Sequence, residues 1–307
     1  RALADELRLD LRARTSRLRE LGVVPRLVVA IVGEDAASLA YVRSLVNVGA
    51  KVGVEVGVDV LPAHTAEGDV RARLHALGED AAIHGIILQQ PLPSHLAIRR
   101  IGDAIAPHKD VDGANPINQG RLAFGSGAEF VPATPAACML LLERSPHWPL
   151  RGRRACVVGR SNVVGLPVTL LLMQCDATVT STHHETIDLG RHTCDAEVLV
   201  VATGVPGLIR AEMVMPGATV IDVGTTYVNG KLYGDVAYDE VCEIAGAITP
   251  VPGGVGPVTN VALMRSVVSA AERAAPRNLA EFFAQSPLRD SNLEITRSTD
   301  PPRKVDL

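Results

Sequence analysis

The sequence predicts a two-lobed α/β protein built on parallel sheets. Three observations carry that prediction. Short apolar runs such as "RLVVAIVG" (26–33) and "EVLVV" (197–201) read as strands buried on both faces. Stretches of helical periodicity separate them, the pattern of βα units. The alternation occurs twice, on either side of a loop-rich stretch, and 307 residues leave room for two such units.

The elements follow in order. "LADELRLDLRARTSRLREL" has helical periodicity and closes near Gly22. "RLVVAIVG" is the first strand and ends in a glycine turn at Gly33. A helix carrying Tyr41 comes next, then a strand in "VGVDVLP", a helix in "DVRARLHALGED" and a third strand in "IHGIILQQPLP". "AIAPHKDVDGANPINQGRLAFG" reads as a connector. "TPAACMLLLERS" predicts a helix with Thr134 as N-cap and Pro135 at its first position. The second series starts at "RRACVVGRSNVVGLPVTLLLMQC" and runs through "ATVTST", "EVLVVATGV", "ATVIDVGTTYV" and "AGAITPVPGGVGP". "VTNVALMRSVVSAAERA" is the last helix. From Ala275 the character changes: Phe282 and Phe283 form a candidate docking pair, and the polar end reads as an extended arm.

Composition removes several function classes. At 47% hydrophobic and 21% charged residues the chain is globular, not disordered. A formal net charge of -4 argues against nucleic acid as a partner. No apolar run approaches the roughly 18 residues of a membrane span. No signal segment is legible, so a cytoplasmic location is expected. Cys138, Cys156, Cys175, Cys194 and Cys242 are odd in number, widely spaced and without a CxxC pair. They read as small core residues in a reducing compartment, not as a disulfide frame or a metal site.

The stretch "ACVVGRSNVVGLP" is a strand, a tight loop and a helix start. Gly159 permits the turn, and Gly165 permits close backbone approach to an anion at a helix N-terminus. The spacing is not GxGxxG, so a plain βα turn stays open beside a nucleotide site. The next strand ends without the acid that grips the 2′-hydroxyl of NAD. His183 and His184 stand there instead, with Arg160 in the first loop. A cationic group without a close acid suits the 2′-phosphate of NADP; Glu185 is the residue that would spoil it. Further upstream, Tyr41 and Leu45 are four residues apart and so share a helix face.

The motifs "YVRS", "GIILQQPLP", "PHKDVDG", "INQGRLAFG", "PATP", "VVGRSNVVGLP", "VVATG" and "ITPVPGGVGP" occur in one order. Together they give the chain its resemblance to the FolD-type methylenetetrahydrofolate dehydrogenase/methenyltetrahydrofolate cyclohydrolase family, from about Leu27 to Arg273. The resemblance implies a folate-binding lobe of residues 1–133 plus 258–285 and a Rossmann-like NADP-binding domain of residues 134–257. A tail of residues 286–307 falls outside it, and the active site lies in the cleft between the lobes. It implies a homodimer acting on a tetrahydrofolate substrate.

Carried over by position, Tyr41 stacks along the folate, Gln89 holds the cyclohydrolase lysine, and Asp112 binds the pterin. Pro252, Gly253 and Gly254 belong to the substrate side. Gly159, Arg160, Ser161, Gly165, His184, Thr203, Gly204, Gly224 and Thr225 belong to the cofactor side. The chain departs from the family at four places. Leu45 stands at the lysine position, Ala133 replaces a cysteine, His184 replaces a serine, and Thr225–Thr226 replace an apolar residue and Asn. Lys51 lies about 240° around the helix from residue 45 and Arg43 faces away, so only Lys109, beside Asp112, could substitute.

Hydride transfer depends on alignment and needs no acid or base. Hydrolysis of the methenyl product must manage a proton, where a tunable amine is useful. The expectation is therefore an NADP-dependent methylenetetrahydrofolate dehydrogenase with weak or absent cyclohydrolase activity. Three alternatives stay open: a bifunctional enzyme, a paralogue acting on another imine or iminium, and a non-catalytic folate- or nucleotide-binding protein.

Overall fold

Two parallel sheets, each with a strand-order reversal, set where ligands can bind. The computed structural model describes residues 2–33, 35–127 and 129–275. The Phe282–Phe283 pair and the tail 286–307 lie outside the described residues.

In the first half, helix α1 (Ala2–Glu20) precedes β1 (Arg26–Val32), α2 (Ala36–Val52), β2 (Glu55–Leu61), α3 (Glu67–Glu79) and β3 (Gly85–Leu88). The strands pair in the order β2-β1-β3, all parallel. β1 is buried along all but its first residue, which explains its unbroken apolar sequence. Asp35 caps α2, its carboxylate accepting from the Ser38 amide at 2.8 Å, and Gly53 ends the helix at φ 81.

The connector holds α4 (Ile98–Ile101) and α5 (Pro116–Phe124). The second is a correction to the sequence reading. Its N-cap Asn115 accepts from the Ile117 amide, Pro116 opens it, and Gly125 closes it at φ 64. Helix α6 (Ala133–Leu142) supplies another correction, for its N-cap position is Pro132, not Thr134, which lies inside the first turn.

The second half contains β4 (Arg154–Val158), α7 (Gly165–Gln174), β5 (Thr178–Thr182), α8 (Leu189–Thr193), β6 (Val198–Val201) and β7 (Thr219–Asp222). After these come the hairpin β8 (Thr226–Val228) and β9 (Lys231–Tyr233), then α9 (Tyr238–Val241), β10 (Ala247–Ile248) and α10 (Val255–Ala274). The five-stranded parallel sheet has the order β10-β7-β6-β4-β5. Helix α10 returns to pack on α6, α1 and α2. Cys138 and Cys156 are buried core residues as expected, but Cys194 is exposed.

Open α/β sheets bind ligands beyond the carboxyl ends of strands where the order reverses. Here the reversals fall between β1 and β3, and between β4 and β6. Those strand ends lead into the helix carrying Tyr41, the loop with Gln89, the 159–165 turn and the loop with Thr203.

Candidate active site

The turn after β4 is built for close packing. Gly159 has φ 107, and a β-carbon there would land on the Ala202 carbonyl oxygen. A β-carbon at Gly165 would land on the Gly159 carbonyl oxygen. Ser161 ties the loop, accepting from the Leu166 amide at 3.0 Å through its carbonyl and from the Val164 amide through its hydroxyl. The start of α7 has no side-chain cap, and the turn leading into it borders a cleft of about 640 Å³. Gly159, Arg160, Ser161, His183, His184 and Thr203 line it, and Leu189, Val205 and Leu208 give it an apolar wall. Backbone donors and a guanidinium beside an apolar wall fit a dinucleotide's phosphates and adenine.

The charge reading of this cleft needs correction. His184 Nε2 lies 3.2 Å from the Glu185 carboxylate, both side chains exposed. Glu185, the acid that would oppose a 2′-phosphate, is therefore in contact with His184. Arg160 has no carboxylate partner among the described residues and is the cleft's free cation.

Beyond β6 and β7 two buried carboxylates organise the loops. Asp235 Oδ2 accepts from the Thr203 amide at 2.6 Å, the Thr203 hydroxyl at 3.0 Å and the Gly204 amide at 2.9 Å. Asp222 accepts from the amides of Gly224, Asp235 and Val236 at 2.9 to 3.0 Å. Burial still pushes the Asp222 carboxyl up to about 6. Sequence reading missed both residues, although a lone acid ending an apolar strand, as in "VIDVG", is a legible signal.

A second cavity, of about 490 Å³, joins the two halves of the chain. Tyr41, Gln89 and Thr134 face Val223 and Thr225 across it, and Thr259 and Asn260 of α10 complete the wall. Pro252, Gly253 and Gly254 line a smaller adjoining cavity of about 220 Å³ together with Gly224. The two cavities share Val223, Thr225, Val255 and Gly256.

Leu45 is not in this wall. It is 0% exposed and belongs to the core, so Tyr41 and Leu45 do not line the cavity side by side. Positions 44 and 45 lie about 60° to one side and 40° to the other of position 41. It is Ser44 that reaches across, bonding Asn260 at 3.1 Å.

The two aspartates of "KDVDG" have different duties. Asp110 is 0% exposed and accepts from the amides of Ala114 and Asn115 and from the Asn118 side chain at 2.8 to 2.9 Å, which fixes the loop. Asp112 accepts from the Ala133 amide and so does the capping work expected of Thr134. Burial, with the Asp110 charge second, pushes the Asp112 carboxyl up to about 7. The Tyr41 phenol is raised in turn, by burial and then by Asp112. Lys109 points elsewhere, its amine donating to the Asp80 carbonyl at 2.7 Å, and burial lowers its pKa. Among the described residues no His, Cys, Asp and Glu cluster could hold a metal, and no helix is long and apolar enough to cross a membrane.

The doubly wound sheet and its glycine turn define an α/β protein of the dinucleotide-binding class. The catalytic-domain description of tetrahydrofolate dehydrogenase/cyclohydrolase matches residues 1–112, and its NAD(P)-binding-domain description matches residues 132–275. The chain belongs to the tetrahydrofolate dehydrogenase/cyclohydrolase family. It is 50% identical over 275 residues to the bifunctional protein FolD of Cupriavidus pinatubonensis, covering 89% of this chain and 96% of that one. Among solved structures, the bifunctional FolD enzyme of Campylobacter jejuni aligns with a TM-score of 0.86 at 37% identity, covering 89% and 96% of the two chains. The FolD of Trypanosoma brucei, solved with NADP and an inhibitor, aligns at 0.85 and 36% identity, covering 90% and 97%.

Proposed function

We propose that the protein oxidises 5,10-methylenetetrahydrofolate to 5,10-methenyltetrahydrofolate with NADP and hydrolyses the product weakly or not at all. The observation that carries this is the cavity shared by Tyr41, Gln89 and Thr134 with Val223 and Thr225. It lets a folate on the first half meet a nicotinamide on the second. Arg160 and the α7 N-terminus hold the NADP phosphates, with Thr203 and Gly204 kept in place by Asp235. When bound, the nicotinamide supplies the hydride acceptor. Tyr41 orients the folate, Gln89 holds the strand end beside the bridge carbon, and Asp112, which does not line the cavity but whose charge reaches the Tyr41 phenol, takes the donor edge of the pterin. Hydride transfer needs this alignment and no proton carrier.

The second half of the proposal rests on what lines the cavity. Among the described residues that line it there is no Lys, Arg, His, Asp or Glu. Leu45 is in the core, and Lys109 is engaged with Asp80. General acid–base help, worth roughly 10² to 10⁴ in rate, has no amine to supply it.

The test supplies methylenetetrahydrofolate and NADP and follows the methenyl and formyl products separately. Methenyl product is expected to accumulate. Formyl product well above the spontaneous rate sinks the monofunctional reading, and bound folate without turnover favours a repurposed paralogue. Leu45→Lys is expected to add formyl product, though well below roughly 10²-fold. Its amine starts in the core, where burial favours the neutral base, and must turn toward Gln89. Arg160→Ala is expected to weaken NADP about tenfold, the scale of one charge-assisted bond, and to leave NAD unchanged. Parallel losses for both cofactors in titrations would remove Arg160 from the 2′-phosphate.

A further inference from the structure

The polar side chains of the cavity wall include Tyr41 from α2, Gln89 from the strand end after β3, Thr134 from α6, and Thr259 and Asn260 from α10. Asn260 enters from α10, 216 residues away from its partner Ser44. Its carboxamide carries two N–H donors and an acceptor oxygen, and a hydroxyl can serve either end. Among the described residues its side chain makes one hydrogen bond, to the Ser44 hydroxyl at 3.1 Å. The rest of the amide belongs to the cavity lining. Gly256 lies one helical turn before it on the same face, and a β-carbon there would meet nothing within 4 Å, so space opens beside the amide.

We infer that Asn260 is a substrate-contacting residue. Held by Ser44, it hydrogen-bonds an uncharged polar group of the folate's ring portion. The argument rests on the reading of the cavity as the folate site and adds to it which part of the folate lies there. A glutamate-tail carboxylate entering this cavity would meet no cation, and an unpaired charge leaves water at high cost. An amide is suited to a neutral acceptor or donor. The absence of a cation from the lining also accommodates the methenyl cation without a like charge beside it. Ser44 is a positioning residue, since it fixes the amide without itself lining the cavity.

Asn260→Leu, close in shape and without polar atoms, is the main variant, and Asn260→Asp keeps an acceptor while losing both donors. Steady-state constants for methylenetetrahydrofolate and NADP are measured together with Tm. Loss of one neutral hydrogen bond corresponds to roughly fivefold. Asn260→Leu is expected to raise the folate KM by about that factor, with the NADP KM and Tm nearly unchanged. Ser44→Ala is expected to give a smaller rise of the same kind. Tetrahydropteroate, which lacks the glutamate tail, is expected to lose the same factor in calorimetric binding.

An unchanged folate KM overturns the inference. Equal rises for both substrates with a fall in Tm assign Asn260 to packing alone and overturn it as well. If the effect vanishes with tetrahydropteroate, the amide holds the tail and not the rings. Wild-type protein that binds tetrahydrofolate without turnover sinks the dehydrogenase reading, while the binding comparison still decides Asn260. Wild-type protein that binds no folate sinks both.

Discussion

Gly165→Ala is expected to eliminate NADP binding and to lower stability by on the order of 3 kcal/mol. The added β-carbon would occupy the position of the Gly159 carbonyl oxygen. A flexible side chain could move aside, but that oxygen belongs to a turn fixed between β4 and α7. Relief requires the helix to withdraw from the strand end, and the Gly159–Ser161 turn that lines the cleft is displaced with it. Gly68→Ala in α3 is the matched control. Its β-carbon meets nothing within 4 Å, so it is expected to be neutral or to stabilise slightly. Thermal unfolding with and without NADP separates the two effects. A Gly165→Ala protein that gains the wild-type increment in Tm on adding NADP would show that this turn does not hold the phosphates.

Asp112→Ala is expected to raise the folate KM roughly 100-fold and to leave the NADP KM unchanged. Two charge-assisted hydrogen bonds to the pterin edge contribute about 3 kcal/mol or more, and 1.4 kcal/mol is tenfold. Alanine also removes the cap on α6, at about 1 kcal/mol of stability. Asp112→Asn keeps the cap and removes the charge, so folate affinity lost in both variants reports the pterin and stability lost only in alanine reports the helix.

The pH dependence follows from the carboxyl's position near 7. Below that pH the group is neutral in the free protein, and above it the carboxylate is ready for donors. Folate binding is therefore expected to release a proton near neutrality, and the folate KM is expected to rise as pH falls below about 7. For stability the sign is opposite. A carboxyl raised from 3.8 contributes most when protonated, and the contribution fades as pH climbs from about 4 to about 7. Calorimetry in buffers of different ionisation enthalpy measures the proton. A pH-independent folate KM in the wild-type protein would remove Asp112 from the pterin.

The strands and the glycine turn were legible because their signals are local. An apolar run such as 26–32 must be buried, and the turn at Gly159 leaves little choice of residue. The signals for α5 were also local, with Asn115, Pro116 and Gly125 at cap positions, but nine residues among turn formers read as loop. Leu45 shows where periodicity stops. Four residues from Tyr41 is the same face to within about 40°, and packing turned Ser44 to the cavity residue Asn260 and Leu45 to the core. The Asn260–Ser44 bond and the engagement of Lys109 by Asp80 span 216 and 29 residues, and nothing in either local sequence announces its partner. His184 and Glu185 are neighbours in the chain, yet neighbours pair only when the backbone turns them together.

The amides that Asp222 gathers come from both feet of the β8–β9 hairpin: Gly224 before it, Asp235 and Val236 after it. Closing a loop costs free energy that grows only slowly with its length. Once one carboxylate has clasped both feet, the excursion between them is nearly free to change size. The turn at Asn229–Gly230 is thus the place where the chain can accept added residues, or be cut and rejoined, with the Thr203–Gly204 loop still held by Asp235. For protein engineering this hairpin is a handle whose grip is already separated from the working parts.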